Sequence, residues 1–223
     1  MIAGTHAGVP LVLLGAGGHA KVLLSLIRAA EMEVVGVCDP TLAVRGTKEW
    51  RGIKVLGDDE ALNAINPNSV GLVNGIGHLV ASIARRTVFE RFKEKGFSFP
   101  VLVHPAAWVD QSSLLNEGVQ VMAGAVIQAD VTVGVNSIIN TGASVDHDCY
   151  LGSHIHVAPG ATICGHVCLS DLVFVAAGAT IIQAINVGES AIIGAGATVV
   201  RNLGPGQTLL GASMRNITQI KEG

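Results

Sequence analysis

The second half of the chain places an aliphatic residue at every sixth position. Each of these positions holds Leu, Ile or Val without exception: Val103, Val109, Leu115, Val121, Ile127, Val133, Ile139, Val145, Leu151, Val157, Ile163, Leu169, Val175, Ile181, Val187, Ile193 and Val199. Four residues after most of them stands a small residue: Ala107, Ser113, Ala125, Ser137, Ala143, Ala161, Ala179, Ala191 and Ala197. A fixed period of six predicts a parallel β-helix, in which each short strand turns one large side chain inward and the small residue fills the corner.

Three six-residue units (hexads) complete one triangular coil, so residues 18 apart in sequence lie in neighbouring coils, ~4.8 Å apart. About five to six coils follow from the length of the repeat. The repeat is expected to stop at residues 201–206, where Pro205 and Gly206 interrupt it, and the segment 209–215 is expected to cover the last open edge.

The first hundred residues follow a different pattern, typical of an α/β domain. Strands are predicted at 11–14, 34–38, 53–56 and 70–73, and helices at 21–30, 58–65 and 79–95. The first strand, helix and second strand form a βαβ unit. We place the boundary near residue 102, with an α/β domain over 1–102 and a β-helix over 103–223.

A glycine-rich turn joins the first strand to the first helix. It comprises Gly15, Ala16, Gly17, Gly18 and His19, followed by Ala20. Glycines let backbone N–H groups approach a phosphate, and the start of a helix adds partial positive charge. The alternative is a tight turn that only closes the sheet. Because the region is shorter than a full dinucleotide-binding domain, half of such a domain, binding a mononucleotide, is favoured over an NAD site.

Two further features belong to the same edge of the sheet. Asp39 ends the second strand, where its carboxylate can accept hydrogen bonds from a ribose or a base. A second glycine turn, with Gly75 and Gly77, follows the strand at 70–73, and binding crevices lie at the carboxyl ends of parallel strands.

Composition narrows the function. Of 223 residues, 49% are hydrophobic and 14% charged, and the net charge of −3 argues against a nucleic-acid partner, which normally requires a basic face. The four cysteines show neither CxxC spacing nor a disulfide framework, and Cys149 falls on a small interior position, which predicts a buried thiol. Neither a signal peptide nor a membrane span is predicted, so we expect a soluble, cytoplasmic protein.

Histidines are concentrated where the small-residue pattern breaks. His147 occupies a corner between Asp146 and Asp148, so its ring should point outward, and the same position one coil later is Gly165. A carboxylate bonded to one ring nitrogen makes the other a better base, which predicts a general base at His147. The alternative is a solvated corner histidine, which we favour for His104 and His154.

A metal site is not expected. Some trimeric β-helix enzymes hold zinc with three histidines, two of them five residues apart on one chain, and no pair here has that spacing. Neither a Ser–His–Asp set nor a reactive cysteine is found.

Three segments carry a family resemblance that spans nearly the whole chain. They are Gly15-Ala-Gly-Gly-His-Ala20, Asn140 with Asp146-His-Asp-Cys149, and 151–161, Leu-Gly-Ser-His-Ile-His-Val-Ala-Pro-Gly-Ala. With them the chain resembles the bacterial sugar-nucleotide acetyltransferases of the left-handed β-helix (hexapeptide-repeat) superfamily. The branch is the one often labelled sialic acid O-acetyltransferase-like, many members of which N-acetylate UDP- or GDP-linked 4-amino sugars.

The resemblance implies roles for individual residues. His147 would be the general base, supported by Asp148, with Asn140 beside them, and His156 and the Gly165 backbone would lie near the acetyl-coenzyme A thioester. The glycine turn 15–19 and Asp39 would contact the nucleotide sugar. Domain 1–102 would then be a Rossmann-like sugar-nucleotide-binding domain, and 103–223 the acetyl-CoA-binding, catalytic domain. The left-handed winding also comes from the resemblance.

The expected activity is direct acetyl transfer from acetyl-CoA to the 4-amine of a UDP- or GDP-linked amino sugar, in a homotrimer that binds the cofactor between two prisms. O-acetylation of a sialic acid and a non-catalytic β-helix that binds a sugar nucleotide stay open as alternatives. Two departures from the family pattern are the Asp39-Pro40-Thr41 sequence and Gly211-Ala-Ser-Met214, which affect the nucleotide and adenine sites.

Overall fold

A computed structural model gives the fold of the chain over residues 8–77 and 82–211. The α/β part contains strands β1 (Leu11–Leu14), β2 (Val34–Cys38), β3 (Glu49–Trp50), β4 (Ile53–Gly57) and β5 (Gly71–Asn74) and helices α1 (Gly18–Ala29), α2 (Pro40–Val44) and α3 (Ala84–Glu94), with 3-10 segments at Asp59–Ala64 and Pro67–Ser69. The predicted strands and the βαβ unit are confirmed. The predicted helix at 58–65 is a 3-10 segment, and part of the predicted start of the last helix (residues 79–81) lies outside the described residues.

The five strands form one sheet in the order β3-β4-β2-β1-β5, parallel except for the β3–β4 pair. From β1 the chain crosses through α1 to β2 on one side, and β5 later pairs with β1 on the other side. The strand order therefore reverses at β1, and the crevice outside the carboxyl ends of β1 and β5 is the place where ligands bind in such sheets.

The β-helix contains eighteen described strands of two residues each, in three parallel sheets that form the faces of a prism. Face 1 consists of β6 (Leu102–Val103), β9 (Gln120–Val121), β12 (Ile138–Ile139), β15 (His156–Val157), β18 (Phe174–Val175), β21 (Ile192–Ile193) and β23 (Thr208–Leu209). Face 2 consists of β7 (Trp108–Val109), β10 (Val126–Ile127), β13 (Ser144–Val145), β16 (Thr162–Ile163), β19 (Thr180–Ile181) and β22 (Thr198–Val199). Face 3 consists of β8 (Leu114–Leu115), β11 (Thr132–Val133), β14 (Tyr150–Leu151), β17 (Cys168–Leu169) and β20 (Asn186–Val187).

The aliphatic residue of every hexad is the second residue of its strand and points into the prism. From Leu115 to Val199 these side chains are at most 1% exposed, and only Val103 and Val109, in the first coil, are partly buried. Strands pair in a register of 18 residues, as for Val145 and Ile163. The predicted prism and its coil length are confirmed.

The corners have a period of six as well. From Gly118 to Gly196 every sixth residue has a positive φ, and eight of these positions hold a residue other than glycine, namely Asp130, Asn136, Asp148, His154, His166, Leu172, Ala184 and Ser190. Asn, Asp and His tolerate this conformation better than most residues. Asp148 and His166 therefore occupy rigid, regular positions of the turn.

The predicted end of the repeat was wrong. Past Val199 the chain makes a bridge from Leu203 to Val187 and then adds β23, which pairs with β21. Pro205 and Gly206 shift the six-residue period without ending the coil, because strand pairing with the coil beneath still satisfies the backbone. Most of the predicted cap (residues 212–215) lies outside the described residues.

The α/β part packs on face 1. Apolar side chains of α1 and β1 share one buried cluster with Leu102, Met122 and Ile138 of the β-helix. Phe89 of α3 lies where face 3 turns into face 1, and a Cβ at Gly118 would approach its ring to 3.0 Å. Faces 2 and 3, and the corner between them, are left uncovered by the described residues of the chain.

No helix in the described part of the chain has the length and apolar character needed to cross a membrane.

We predict that the prism interior dominates stability. Leu151→Ala removes a fully buried side chain whose neighbours are locked in register, so it should lower the free energy of unfolding by about 2–5 kcal/mol. The matched control is Leu210→Ala, whose side chain is 76% exposed and whose effect should stay within about 0.5 kcal/mol. Chemical denaturation at one protein concentration measures both, and equal losses in the two variants would contradict the prediction.

Candidate active site

His147 lies on the corner between faces 2 and 3, two residues after the end of β13. Its side chain is about half exposed, and its ring lies over Gly165 of the next coil, where a Cβ would come within 2.7 Å of Cε1 and 2.8 Å of Nε2. Any larger residue at 165 would displace the imidazole. The predicted outward corner position above a glycine is confirmed.

Asp148 bonds the ring of His147 and also faces a second histidine. Asp148 Oδ2 lies 2.7 Å from His147 Nδ1 and 3.5 Å from Nε2 of His166. The two rings meet edge to face with centroids 5.2 Å apart. Because a carboxylate only accepts, Nδ1 of His147 carries the hydrogen and Nε2 is left free to take a proton.

Asp148 also sets the protonation of this corner. Its hydrogen bond is the main cause that raises the pKa of His147, to which the nearby charge of Asp146 adds. In turn the bond from His147 lowers the pKa of Asp148, and the charge of His166 lowers it further. The carboxylate is therefore ionised and stabilises the imidazolium that forms when His147 accepts a proton.

Sequence analysis did not identify His166 as a partner. The signal was available, because 166 is one position past 165 in the coil above 147, and the coil arithmetic brings it next to Asp148. Of the two histidines predicted as solvated corner residues, His154 differs from that prediction. His154 is half-buried, bonds Asn136 and packs against Phe89, and burial lowers its pKa. His104 is partly buried, and its Nδ1 accepts the Ala106 N–H.

Face 2 carries a shallow groove beside this corner, with a volume of about 160 Å³. Its lining includes Val126, Ser144, Asp146, Thr162 and Cys164. The predicted buried thiol is confirmed, because Cys149 is 2% exposed, its Sγ donates to the Cys164 carbonyl, and burial raises its pKa to about 11.

Asn140 and His156 lie elsewhere on the prism. Asn140 follows β12 on the corner between faces 1 and 2, and its Nδ2 is 3.1 Å from Nε2 of His156, which is 8% exposed. Within this chain Asn140 is therefore on a different corner from His147 and Asp148, and its place beside them stays a prediction. Asn140 and His147 are seven residues apart, one more than a hexad. They therefore lie on two successive corners of the triangular coil.

The two glycine turns meet at the crevice of the α/β sheet. Gly75 N donates to Leu14 O at 2.8 Å, and a Cβ at Gly75 would lie 2.6 Å from that oxygen. Gly15 has a φ of 86°, and a Cβ there would lie 3.6 Å from Cγ1 of Ile76. No described side chain caps the start of α1, so its first N–H groups lack a side-chain acceptor there, as an anion-binding turn requires.

The other residues of the two glycine turns, together with Asp39, define the rest of the crevice. Gly17 and Gly18 have open space around them, and Gly77 lies against His19. Asp39 ties the turn together, because its Oδ2 accepts the Ala16 N–H and its Oδ1 accepts the Leu42 N–H, both at 2.9 Å. Contacts of Asp39 with a nucleotide remain a prediction.

Residues buried beneath the crevice were missed by sequence analysis. Gln120 lies 2.8 Å from His19, and Arg85 is 3% exposed with its guanidinium on backbone carbonyls of Asn74 and Ile76. An arginine in an amphipathic helix is normally predicted to be exposed, and no pattern in the sequence indicates that Arg85 is buried.

Among the described residues, one group of side chains has ligand atoms of the kind that bind metals close together: His147, Asp148 and His166, within 4.8 Å of one another. All three are exposed, and Asp148 is already bonded to His147. The expectation of a metal-free enzyme stays a prediction.

A protein-family model matches the α/β part of the chain. Residues 10–92 match the family model described as PglD N-terminal domain. No curated protein sequence matches the chain.

Solved structures match nearly the whole chain. A variant of perosamine N-acetyltransferase from Caulobacter crescentus, in complex with CoA and GDP-perosamine, is 36% identical over 91% of this chain and 93% of that chain, with a TM-score of 0.82. The acetyltransferase domain of PglB from Neisseria gonorrhoeae, in complex with acetyl coenzyme A, is 33% identical over 91% and 96%, with a TM-score of 0.83. WeeI from Acinetobacter baumannii shares the fold at 20% identity and a TM-score of 0.80. The predicted fold, an α/β domain followed by a left-handed parallel β-helix, is confirmed.

Asp148→Asn tests the electrostatics of the corner. Without the carboxylate the interaction that raises the pKa of His147 is lost, so that pKa should fall towards or below its ordinary value. Histidine NMR titration measures it directly, and His104, which is distant in the fold, serves as the internal control in the same spectra. An unchanged His147 titration would show that Asp148 does not control the base.

Proposed function

Because the chain belongs to the hexapeptide-repeat sugar-nucleotide acetyltransferases, we propose that it transfers the acetyl group of acetyl-CoA to the 4-amino group of a UDP- or GDP-linked amino deoxy sugar. The predictions of an acyltransferase and of acetyl-CoA as its co-substrate are confirmed by relatives crystallised with CoA or acetyl coenzyme A. The acceptor and the residue roles are the proposal. A cytoplasmic location stays a prediction.

The proposal is supported above all by the hydrogen bond between His147 and Asp148, which holds the His147 ring over Gly165. The sugar amine attacks the thioester carbonyl while Nε2 of His147 takes its proton, and Asp148 stabilises the resulting imidazolium. The carbon–sulfur bond then breaks, and coenzyme A leaves as the thiol after its thiolate takes the proton from His147. A neutral amine is already nucleophilic, so holding it against the thioester supplies much of the rate.

Gly165 contributes a backbone donor as well as space. Its N–H has no hydrogen-bond partner among the residues the structure describes, whereas the flanking Cys164 and His166 N–H groups are both bonded. A preorganised N–H beside the reacting carbonyl can stabilise the oxyanion of the tetrahedral intermediate. We therefore assign the Gly165 N–H to that oxygen.

The other site residues belong to the opposite side of the prism. The glycine turns, Asn140 and His156 surround face 1, but His147 stands on the corner between faces 2 and 3, which is the corner opposite to face 1. The packed interior of the prism separates them. One chain thus holds two half-sites that its own fold keeps apart.

A second copy of the chain resolves this separation. In a trimer the corner with His147 of one protomer would face the nucleotide crevice, Asn140 and His156 of its partner. Exposed apolar side chains on faces 2 and 3 support such packing, since Trp108 is 60%, Tyr150 55% and Leu114 42% exposed. The face 2 groove is also smaller than the roughly 300–1,000 Å³ of a complete ligand pocket, which fits a coenzyme A channel closed by a neighbouring prism.

An acceptor panel tests the proposed reaction. Acetyl-CoA is supplied with UDP- and GDP-linked 4-amino sugars and, separately, with free and nucleotide-activated sialic acids, and thiol release and product mass are measured. We expect turnover with a 4-amino sugar and a loss of about tenfold to a thousandfold in kcat for His147→Ala.

The panel separates the alternatives. Turnover on a sialate hydroxyl would replace the N-acetyltransferase assignment with O-acetylation. Binding of coenzyme A and nucleotide sugar without any turnover would indicate a binding protein. Near-normal kcat in His147→Ala would remove His147 from its role as base.

Mixed trimers test the shared site. Chains with His147→Ala lose one half-site, and chains with both His19→Ala and Asn140→Ala lose the other. After denaturation and joint refolding, about a quarter of the interfaces in a random mixture pair two intact halves, so about a quarter of the wild-type activity should return.

The controls are each variant refolded alone, which should stay at its low parental activity. A mixture no more active than the mean of its parents would show that each chain completes its site by itself.

A further inference from the structure

His19 begins α1 beside the crevice and has a partner from the β-helix. Its Nε2 lies 2.8 Å from Oε1 of Gln120, a residue of β9 that is 2% exposed. No other hydrogen bond of the His19 side chain is found among the described residues. The ring therefore connects the nucleotide crevice with face 1.

The hydrogen-bond pattern fixes the orientation of Gln120. Its Nε2 donates to the Asn74 carbonyl at 3.0 Å. A backbone carbonyl can only accept, so the amide nitrogen must face Asn74 and the amide oxygen must face His19. That oxygen can also only accept, so the hydrogen lies on Nε2 of His19.

Arg85 contacts the same Asn74 carbonyl that Gln120 contacts. Its Nη1 donates to the carbonyls of Asn74 at 2.8 Å and Ile76 at 2.9 Å, and its Nε donates to the Asn136 carbonyl at 3.2 Å. None of the ion pairs in the described part of the chain involves this guanidinium. The Asn74 carbonyl thus has both of its acceptor positions occupied, by Arg85 and Gln120.

The surroundings also keep His19 uncharged. Burial, followed by the positive charge of Arg85, lowers the pKa of His19 to about 4, and burial lowers the pKa of Arg85 to about 9. At neutral pH Arg85 is therefore protonated and His19 is neutral. The bond to Gln120 acts in the opposite direction and is outweighed.

We propose that Arg85, Asn74 and Gln120 are positioning residues that hold His19 as the neutral tautomer with its hydrogen on Nε2, so that Nδ1 accepts a hydrogen bond from a hydroxyl or N–H group of the bound nucleotide sugar. The phosphates are excluded as partners, because a phosphate oxygen would meet a lone pair on Nδ1. They are left to the N–H groups at the start of α1. The second half of this proposal rests on the proposed function, and the tautomer does not.

The tautomer is measured on the free protein by NMR of ¹⁵N-labelled histidine, assigned with His19→Gln. His19 should show the Nε2–H form and remain uncharged from about pH 5 to about pH 8. A hydrogen on Nδ1, or titration near the ordinary value of 6.5, would overturn the proposal whether or not the chain transfers acetyl groups.

Gln120→Glu tests the consequence for binding. The new carboxylate has nearly the same shape but stabilises the imidazolium, so His19 should become charged at neutral pH and present a donor at Nδ1. We expect KM for the nucleotide sugar to rise at least tenfold, with a far smaller change in kcat and none in KM for acetyl-CoA. The control, Asn68→Asp, adds the same charge at an exposed position before β5, at the end of the sheet opposite the crevice.

Two outcomes separate this proposal from the proposed function. If Gln120→Glu makes His19 titrate near neutral pH yet leaves the nucleotide-sugar KM unchanged, the assigned contact is wrong while the enzyme activity stands. If no acceptor turns over, titration calorimetry with UDP- and GDP-linked amino sugars supplies the binding constants in place of KM, and equal affinities for wild type and Gln120→Glu would again reject the contact.

Discussion

The inward-pointing aliphatic residue at every sixth position is the constraint on which the rest of the structure depends. It fixes the register between coils at 18 residues, and with it the place of every corner residue. His147, Asp148, Gly165 and His166 come from two coils and meet within hydrogen-bonding and packing distance because that register cannot slip without exposing the core. The prism thus supplies a rigid support for side chains that are themselves exposed.

The same regularity separates the functional residues into two groups. Each hexad turns the chain by one corner, so residues that are close in sequence, such as Asn140 and His147, point to different sides. The α/β part covers face 1 through apolar contacts with α1, which places the crevice of its sheet opposite the corner with the proposed base. The proposed reaction therefore depends on association of several copies, and the exposed aromatic residues on faces 2 and 3 are consistent with it.

Periodicity allowed much of this arrangement to be predicted from sequence. The inward positions, the outward corner of His147 and its glycine neighbour follow from counting, because a β-helix converts sequence distance into spatial distance. Counting failed where the period shifts after Val199, because β23 pairs with β21 at a separation of sixteen residues. The contacts of Gln120 and Arg85 could not be predicted from the sequence, because they depend on how α1 and α3 pack against face 1. No periodic pattern in the sequence indicates how the two parts of the chain pack together.

His19 and His147 show how these two kinds of structure give one side chain opposite properties. His147 stands on an exposed corner beside a carboxylate, which raises its pKa and leaves Nε2 ready to take a proton. His19 is enclosed between the two parts of the chain near a buried guanidinium, which lowers its pKa and prevents it from carrying charge. In both rings the hydrogen-bond partner decides the tautomer, a carboxylate at Nδ1 in one and an amide oxygen at Nε2 in the other. In the proposed mechanism, proton transfer therefore belongs to the histidine held by the regular coil, and recognition to the histidine held by the docked α/β part.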